Sequence, residues 1–265
     1  MEWLKSFIDK GIEEDLIEIG ISEHACRFYQ AAGLLDGYEL RERWIKEQCT
    51  EDLEEYINLI QNAKDRGYNI KLGIEMDYVP EHEQSIREFI ETYPWDYVIG
   101  SVHWLDEWGF DIPDMADEWD KRDTYEVYNR YFSDLKKAVE SGIFDVIAHP
   151  DLIKIFCYYP NENIISIYQE VATSIKSCGK CLEINTAGLR KPVKEIYPAE
   201  DFLKICGKER IPIIINSDAH YPEDVGRDFK KAYNYAIKCG CTTISRFSRR
   251  ERYDIDLDQL RLQGE

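Results

Sequence analysis

Short apolar runs of strand length recur along the chain, and helical patterns of apolar and polar positions lie between most of them. Seven runs have this length: Leu16–Gly20, Ile70–Ile74, Tyr97–Gly100, Phe144–Ala148, Cys181–Ile184, Ile211–Ile215 and Thr242–Ile244. Runs that are apolar at nearly every position are typical of strands buried on both faces, as in a parallel sheet. Because strands and helices alternate with no linker or repeat, the pattern predicts one α/β domain over residues 1–265.

Capping residues, prolines and glycines predict where three of the helices begin and end. The predicted brackets are Thr50 to Gly67, with Glu51-Asp52 in the first turn, then Asp123 to Gly142, and Pro198 to Gly207. The chain also opens on MEWLKSFIDKG, which predicts a helix with Trp3, Phe7 and Ile8 on one side.

Polar residues follow the predicted strands in a consistent way. Six strand ends read Ser22-Glu23-His24, Glu75-Met76-Asp77, Ser101-Val102-His103, His149-Pro150-Asp151, Glu183-Ile184-Asn185 and Ser217-Asp218-Ala219-His220. Four of the five histidines fall in these segments. Because the carboxyl ends of parallel barrel strands meet at one rim, we expect these side chains to converge there.

Asp218 and His220 lie two residues apart, a spacing that places both side chains on the same face of a strand. Ionisable groups near a buried strand are costly unless they are paired or bound to a metal. Imidazoles and carboxylates without thiolates suit zinc, manganese or iron. The alternative is a hydrogen-bonded network of histidines and acids without any metal.

Charge and hydropathy narrow the class of partner. The chain has 52 acidic and 33 basic residues, a formal charge of −19, which repels phosphate backbones and argues against a nucleic-acid partner. A small phosphorylated substrate stays compatible, because bound cations reverse the local field. No apolar stretch is long enough for a membrane span, so no membrane partner is expected, and the oligomeric state is left open.

The eight cysteines predict reduced thiols and therefore a cytoplasmic protein. Two close pairs, Cys178 with Cys181 and Cys239 with Cys241, are a minor alternative as zinc ligands. Cys181 opens an apolar run, where a buried thiol usually packs as a small hydrophobic side chain.

The strand-end sequences resemble those of the PHP superfamily, named for polymerases and histidinol phosphatases. The segments GISEHA, GIEMDY, IGSVHW, DVIAHPD, EINTAGLRK and NSDAHYPEDVG resemble its histidinol-phosphatase branch, in order, from about residue 15 to 245. The resemblance implies a distorted (β/α)7 barrel whose three-metal site hydrolyses a phosphomonoester, most simply L-histidinol phosphate in histidine biosynthesis.

The resemblance also implies roles for individual residues. It implies the metal ligands His24, Glu75, His103, His149, Asp218 and His220. Glu75 would bridge two metals, and His103 and His149 would complete one of them. Arg190 would bind the substrate phosphate, since a guanidinium matches phosphate oxygens. His220 or a water molecule would protonate the leaving group.

One departure from the family pattern concerns its first strand, which carries His-x-His. This sequence has no His-x-His and opens on a helix, so the first strand is expected to be missing from the barrel. Either Met1 is an internal methionine of a longer protein, or the strand has been lost. The chain as given is therefore expected to bind fewer metals than a version extended upstream, and to have little phosphatase activity.

A long segment, residues 104–123, follows the third predicted strand. Its residues Trp104, Trp108, Phe110, Asp106 and Glu107 are candidates to close over an amine-bearing ligand, and the alternative is a hydrophobic cluster beneath a long loop. His82 lies outside the strand-end pattern and is expected to be a surface histidine.

The leading functional hypothesis is a histidinol-phosphate phosphatase. A second is another phosphoesterase or a nuclease of the same superfamily, although the acidic charge counts against a nuclease. A third is a non-catalytic remnant that binds metal without turnover.

Overall fold

A computed structural model of the protein describes residues 2–261. The strands are β1 (Ile19–His24), β2 (Ile70–Asp77), β3 (Tyr97–Ser101), β4 (Trp104–Leu105), β5 (Trp108–Gly109), β6 (Val146–Ile147), β7 (Cys181–Asn185), β8 (Ile213–Asn216), β9 (Thr243–Ser248) and β10 (Glu251–Asp256). The α-helices are α1 (Glu2–Glu13), α2 (Glu39–Gln48), α3 (Leu53–Asp65), α4 (Glu83–Thr92), α5 (Thr124–Ser141), α6 (Ile165–Ser177), α7 (Glu200–Lys208), α8 (Phe229–Lys238) and α9 (Leu257–Arg261). None of these helices is both long enough and apolar enough to cross a membrane.

Eight strands form one sheet in the order β1-β2-β3-β6-β7-β8-β9-β10. All neighbouring pairs are parallel except β9 and β10, which form an antiparallel hairpin. Within residues 2–261, backbone pairing leaves β1 and β10 as the two edges of the sheet. Glu18, just before β1, accepts two hydrogen bonds from Arg246 of β9, at 3.2 and 2.6 Å. This ion pair links the start of β1 to β9, the seventh strand in the sheet order. The predicted parallel α/β architecture is confirmed.

The two faces of the sheet carry different cores because side chains alternate along a strand. On β2, Ile74 and Met76 join the large apolar cluster beneath the helices, while Glu75 and Asp77 have the opposite parity. The inner face has its own apolar cluster: Tyr97, Ile99, Val146, Ala148, Cys181, Ile214 and Phe247. The polar strand ends lie above this layer.

Two glycines make room for Tyr97 on the inner face. A Cβ atom at Gly73 would lie 2.3 Å from Tyr97 Cζ, and one at Gly20 would lie 2.4 Å from the Tyr97 hydroxyl oxygen. Any larger side chain at these positions would collide with the ring, so the glycines on β1 and β2 allow the aromatic side chain to fill the space between them.

Several predicted boundaries were wrong, each for a local reason. Helix α3 is capped by Asp52, whose carboxylate accepts a hydrogen bond from the Glu55 amide, and not by Thr50. Strand β1 begins at Ile19 and not at Leu16, because the Leu16 amide donates to the Gly11 carbonyl and ends helix α1. Ser22-Glu23-His24 therefore belongs to the strand itself.

Other helix predictions were confirmed or need smaller corrections. Asp123 caps α5 through the Glu126 amide, and Gly142 ends that helix in the left-handed conformation. Helix α7 begins two residues after Pro198 and continues through Gly207 to Lys208. The N-terminal helix forms as predicted and Ile8 is buried, but Trp3 is exposed and Leu4 takes the predicted place of Trp3 in the core.

Candidate functional site

Four histidines from four different strand ends converge at one rim of the sheet, as the sequence predicts. The ring centres of His24 and His103 are 5.6 Å apart, and those of His103 and His149 are 5.0 Å apart. His220 lies 6.0 Å from His24 by the same measure. The parallel strands place their carboxyl ends together, and the side chains follow.

Glu75 lies at the centre of this group. Its Oε1 atom is 3.2 Å from His149 Nε2, 3.6 Å from His103 Nε2 and 3.9 Å from His24 Nδ1. The Glu75 side chain is only 10% exposed. One carboxylate oxygen is therefore shared among three imidazole nitrogens in a shielded place.

The imidazoles and carboxylates shift each other's pKa values. Burial acts to raise the pKa of Glu75, but the surrounding histidines outweigh it and hold that pKa well below its ordinary value. Burial acts to lower the pKa of His103, but Asp77, Asp111 and Glu75 outweigh it and raise the pKa to about 10. The same balance, with Glu75 as the partner, raises the pKa of His149.

We expect the stability of the metal-free protein to fall as the pH rises from about 7 to 9. His103 keeps its proton in the folded state up to its raised pKa of about 10, whereas the unfolded chain loses that proton near pH 6.5. Between these values His103 alone lowers the free energy of unfolding by about 1.4 kcal/mol per pH unit. Urea unfolding of chelator-treated protein at several pH values measures the slope. His103→Gln should flatten it, and equal slopes for both proteins would contradict the expectation.

Asp77 holds His103 in place, a role that the sequence did not reveal. Its Oδ1 lies 2.6 Å from His103 Nδ1, so the other ring nitrogen, Nε2, faces Glu75. Metal-binding histidines commonly donate their second ring N–H to a carboxylate in this way. The spacing of Asp77 two residues after Glu75 was visible in the sequence, but its partner was not.

Asp218 and His220 form the other side of the rim. Asp218 accepts a hydrogen bond from Asn185 Nδ2 at 3.2 Å, and its Oδ1 lies 3.5 Å from His220 Nδ1. The Asp218 backbone has φ 49°, an uncommon conformation for a residue with a side chain, and such strain concentrates at functional sites. The His220 side chain is 58% exposed, so this side of the site is open to solvent.

Glu183 supports the site from beneath. Burial raises its pKa, yet its carboxylate accepts hydrogen bonds from the backbone amide of His149 and from the side-chain amides of Asn185 and Asn216. The Glu183 carboxylate is therefore hydrogen-bonded by donors of the protein itself. We infer that Glu183 fixes the backbone at His149 and ties β7 to β8.

Arg190 lies at the same rim, but its guanidinium group already has partners. Nη2 donates to the Ser217 carbonyl and, at 3.4 Å, to the Asp218 carbonyl. Nε lies 3.5 Å from Asp224 Oδ2. These contacts attach Arg190 to the loop that carries Asp218.

The segment 104–123 is mostly a hydrophobic cluster, which was the alternative prediction to a cover over the ligand. Trp104, Trp108 and Phe110 are buried, and Trp108 packs against Trp119 at 4.9 Å. Neither predicted acid of this segment reaches the histidines. Asp106 pairs with Arg130 at 3.0 Å and accepts from Tyr38 at 3.2 Å, and Glu107 is exposed. The acid of this segment that faces the site is Asp111, which the sequence interpretation missed.

The remaining candidates lie away from the rim or make other contacts. Within residues 2–261, one group of possible metal ligands has its ligand atoms all within 4.8 Å of one another: His24, Glu75 and His103. The two cysteine pairs form no such group in this part of the chain. Burial raises the pKa of Cys239 to about 11, and that of Cys241 to about 12. Half-buried His82 makes a 2.9 Å contact with the Asp36 carbonyl.

The distances around Glu75 fit a metal ion held by His24, Glu75 and His103, whose ligand atoms all lie within 4.8 Å of one another. Ligand atoms about 2.1 Å from a tetrahedrally bound zinc ion lie about 3.4 Å from one another. The contacts of Glu75 Oε1 with the three imidazole nitrogens range from 3.2 to 3.9 Å. A cavity of about 990 Å³ borders His24, Glu75, Asp218 and His220 and extends along β1 to Leu16 and Trp3.

Residues 2–187 match the family profile of the PHP domain. The chain belongs to the PHP family. A relative from Deinococcus radiodurans, named probable histidinol-phosphatase, is 36% identical over 198 residues, 74% of this chain and 75% of the relative. The Bacillus subtilis histidinol-phosphatase is 31% identical over 198 residues, 66% of this chain and 73% of its own length.

A solved PHP-family structure shares the fold. The chain superposes with a TM-score of 0.67 on histidinol phosphate phosphatase from Lactococcus lactis, which was crystallised with zinc, L-histidinol and phosphate. The match covers 94% of this chain and 92% of that protein at 21% sequence identity, which supports the fold alone.

Proposed function

We propose that this PHP-family protein is a metal-dependent histidinol-phosphate phosphatase. The observation that carries the proposal is the shared carboxylate oxygen of Glu75, which faces imidazole nitrogens of His24, His103 and His149. The relatives from Deinococcus radiodurans and Bacillus subtilis, both named for this activity, support the choice of substrate.

The residues at the rim suit divalent cations. By the family resemblance, Glu75, His103 and His149 would hold one ion, Asp218 with Glu75 part of a second, and His24 with His220 part of a third. In the part of the chain that the structure describes, the ligand atoms that all lie within 4.8 Å of one another are instead those of His24, Glu75 and His103. Zinc, manganese and iron all accept such ligands. Bound cations would supply charge neutralisation of the phosphate and a lowered pKa for a water nucleophile.

Two carboxylates of the protein hold the proposed metal ligands in position. Asp77 fixes the ring of His103, and Glu183 fixes the backbone of His149, so the ligand set is held before substrate arrives. The open side near His220 leaves room for the leaving group. We propose His220 as a proton donor to that group, in addition to its ligand role.

Arg190 is proposed as a phosphate-binding residue, supported by its place beside Asp218. Arg190→Ala is expected to lower kcat/KM for histidinol phosphate by about 10²-fold, because a positioned charged donor is lost. Metal content should stay unchanged. Arg190→Lys keeps the charge but loses the guanidinium fork, so it should recover only part of the loss. Loss of bound metal in Arg190→Ala would instead assign Arg190 to holding the 217–224 loop.

The direct test is phosphate release from L-histidinol phosphate by the 265-residue chain reconstituted separately with zinc, manganese or iron. Phosphoserine and a phosphodiester serve as comparison substrates. Preferred turnover of histidinol phosphate supports the proposal and would contradict the expectation that this chain has little phosphatase activity. Preferred turnover of the diester would favour another phosphoesterase of the superfamily, and metal binding without any turnover would favour a non-catalytic protein. Metals per chain are counted in parallel.

The protein's location is proposed from its thiols. All eight cysteines lie within residues 2–261 and none forms a disulfide bond. We infer a reducing compartment such as the cytoplasm, where a biosynthetic phosphatase would act.

A further inference from the structure

One buried polar atom of the His149 ring and two in its neighbourhood have no partner. Within residues 2–261, His149 Nδ1, Asp111 Oδ1 and the Tyr197 hydroxyl are shielded from solvent and have no hydrogen-bond partner. The His149 and Tyr197 ring centres are 6.5 Å apart. Buried polar atoms without partners are uncommon in proteins, so three at and near one candidate metal ligand require an explanation.

Contacts of Phe110 hold the segment that carries Asp111 next to His103 and His149. The Phe110 amide donates to the His103 carbonyl at 3.3 Å. The Phe110 ring packs 5.4 Å from that of Tyr131, whose hydroxyl donates to the His149 carbonyl at 3.3 Å. Asp111 is the next residue, and its carboxyl group lies within electrostatic reach of both imidazoles. Burial raises the pKa of Asp111, while the His103 and His149 imidazoles act in the opposite direction.

His149 and His103 differ in one respect. Both present Nε2 to Glu75, at 3.2 and 3.6 Å, and a neutral imidazole that binds a metal through Nε2 carries its proton on Nδ1. For His103 that proton has an acceptor, Asp77. For His149 the ring requires an equivalent acceptor, and Asp111 carries a carboxylate oxygen without a protein partner.

We propose that Asp111 is a positioning residue for the metal site and orients His149 through one water molecule that the Tyr197 hydroxyl also binds. The inference rests on the metal site of the proposed function. A buried water molecule needs two to four polar partners, and His149 Nδ1, Asp111 Oδ1 and the Tyr197 hydroxyl supply three. Nδ1–H donates to the water, and the water donates to the carboxylate. The loop 104–123 thereby acts on the metal site without contributing a ligand.

Zinc affinity tests the proposal without reference to turnover. Competition with a chromophoric chelator would be measured for the full chain, for Asp111→Asn, Asp111→Ala and Tyr197→Phe, and for Asp114→Asn. Asp114 is an exposed acid of the same segment and serves as the matched control. We expect zinc binding to weaken 10–100-fold in Asp111→Ala, less in Asp111→Asn, which keeps an acceptor oxygen, and several-fold in Tyr197→Phe. Asp114→Asn should bind zinc normally.

A cobalt-substituted sample gives a signature that a merely structural role would not change. The visible absorption band of bound cobalt should shift in Asp111→Asn and Tyr197→Phe, because the orientation of a ligand changes. In the same variants kcat for histidinol phosphate should fall while KM stays constant.

Other results would overturn the proposal in distinguishable ways. Normal zinc affinity with a raised KM in the Asp111 variants would make Asp111 a contact for the cationic part of the substrate. Normal zinc affinity and normal kinetics would leave it without a role in the site. If the unsubstituted chain binds no zinc, manganese or iron, the metal-dependent function fails together with this inference. If the Asp111 variants do not fold, unchanged zinc affinity in Tyr197→Phe overturns the proposal.

Discussion

Replacing Glu75 with Gln is expected to remove at least one bound metal per chain and to lower phosphatase turnover by about 10³-fold or more. The change keeps the shape of the side chain but removes the charge on the oxygen that three imidazole nitrogens share, at 3.2 to 3.9 Å. Since bound metal ions would supply the charge neutralisation for phosphoester hydrolysis, loss of the carboxylate proposed as their common ligand should remove most of the catalysis. Metal content per chain and phosphate release from histidinol phosphate measure both effects.

Glu18→Gln provides the matched control. The Glu18 side chain is shielded to a similar degree, 14% exposed against 10% for Glu75, and it precedes β1 at the end remote from His24. It should retain the metal and nearly full turnover. Normal metal content and turnover in Glu75→Gln would show that another group binds the metal, and the proposed site would be wrong.

Replacing Lys154 with Met is expected to destabilise the protein by about 3–5 kcal/mol, because it removes one partner of a buried ion pair. Lys154 and Asp151 are 2% and 1% exposed, and their charged groups lie 3.1 Å apart. Asp151 also accepts from the Ala199 amide at 2.7 Å, which connects the turn after His149 to the start of α7. Denaturant unfolding measures the loss, and zinc affinity should fall as this turn loosens.

A double-mutant cycle separates loss of the pair from loss of packing. Lys154→Met combined with Asp151→Asn should be clearly less destabilising than the sum of the two single changes, because no unpaired charge remains buried. Lys204→Met is the control, since Lys204 pairs with Glu200 at the surface and should change stability by less than about 1 kcal/mol. Strict additivity of the two buried changes would contradict the role assigned to Lys154.

The sequence predicted which side chains would meet at the rim but not what holds them. His24, His103, His149 and Glu75 follow or end apolar strands, and parallel pairing brings such positions together whatever the details of packing. The bond between His103 and Asp77 depends on the registry of β2 and β3 and on a ring rotation, and neither is visible in residue spacing. Asp111 was missed because nothing in its segment marks it among several acids.

The hairpin of β9 and β10 is a second feature that the sequence did not predict. Its turn residues, Arg249 and Arg250, both adopt left-handed backbone angles, with φ 52° and 65°. Two arginines give no turn signal, since such turns usually carry asparagine or glycine. The conformation is stabilised from outside the hairpin: Asp96 accepts from the Arg249 amide, and the Arg250 side chain pairs with Asp145.

By itself, then, the sequence determined the alternation of buried strands and helices and the single rim where the histidines gather. The strands and helices follow from hydrophobic periodicity, which depends on neighbouring residues only. The rim follows because alternating strands and helices predict a parallel sheet, whose strands all end at one edge. The tertiary structure alone decided the left-handed Arg249-Arg250 turn, the partner of His103, and the approach of Asp111 to His149. Each depends on groups far apart in the chain, and the stabilisation they provide offsets local preferences that point elsewhere.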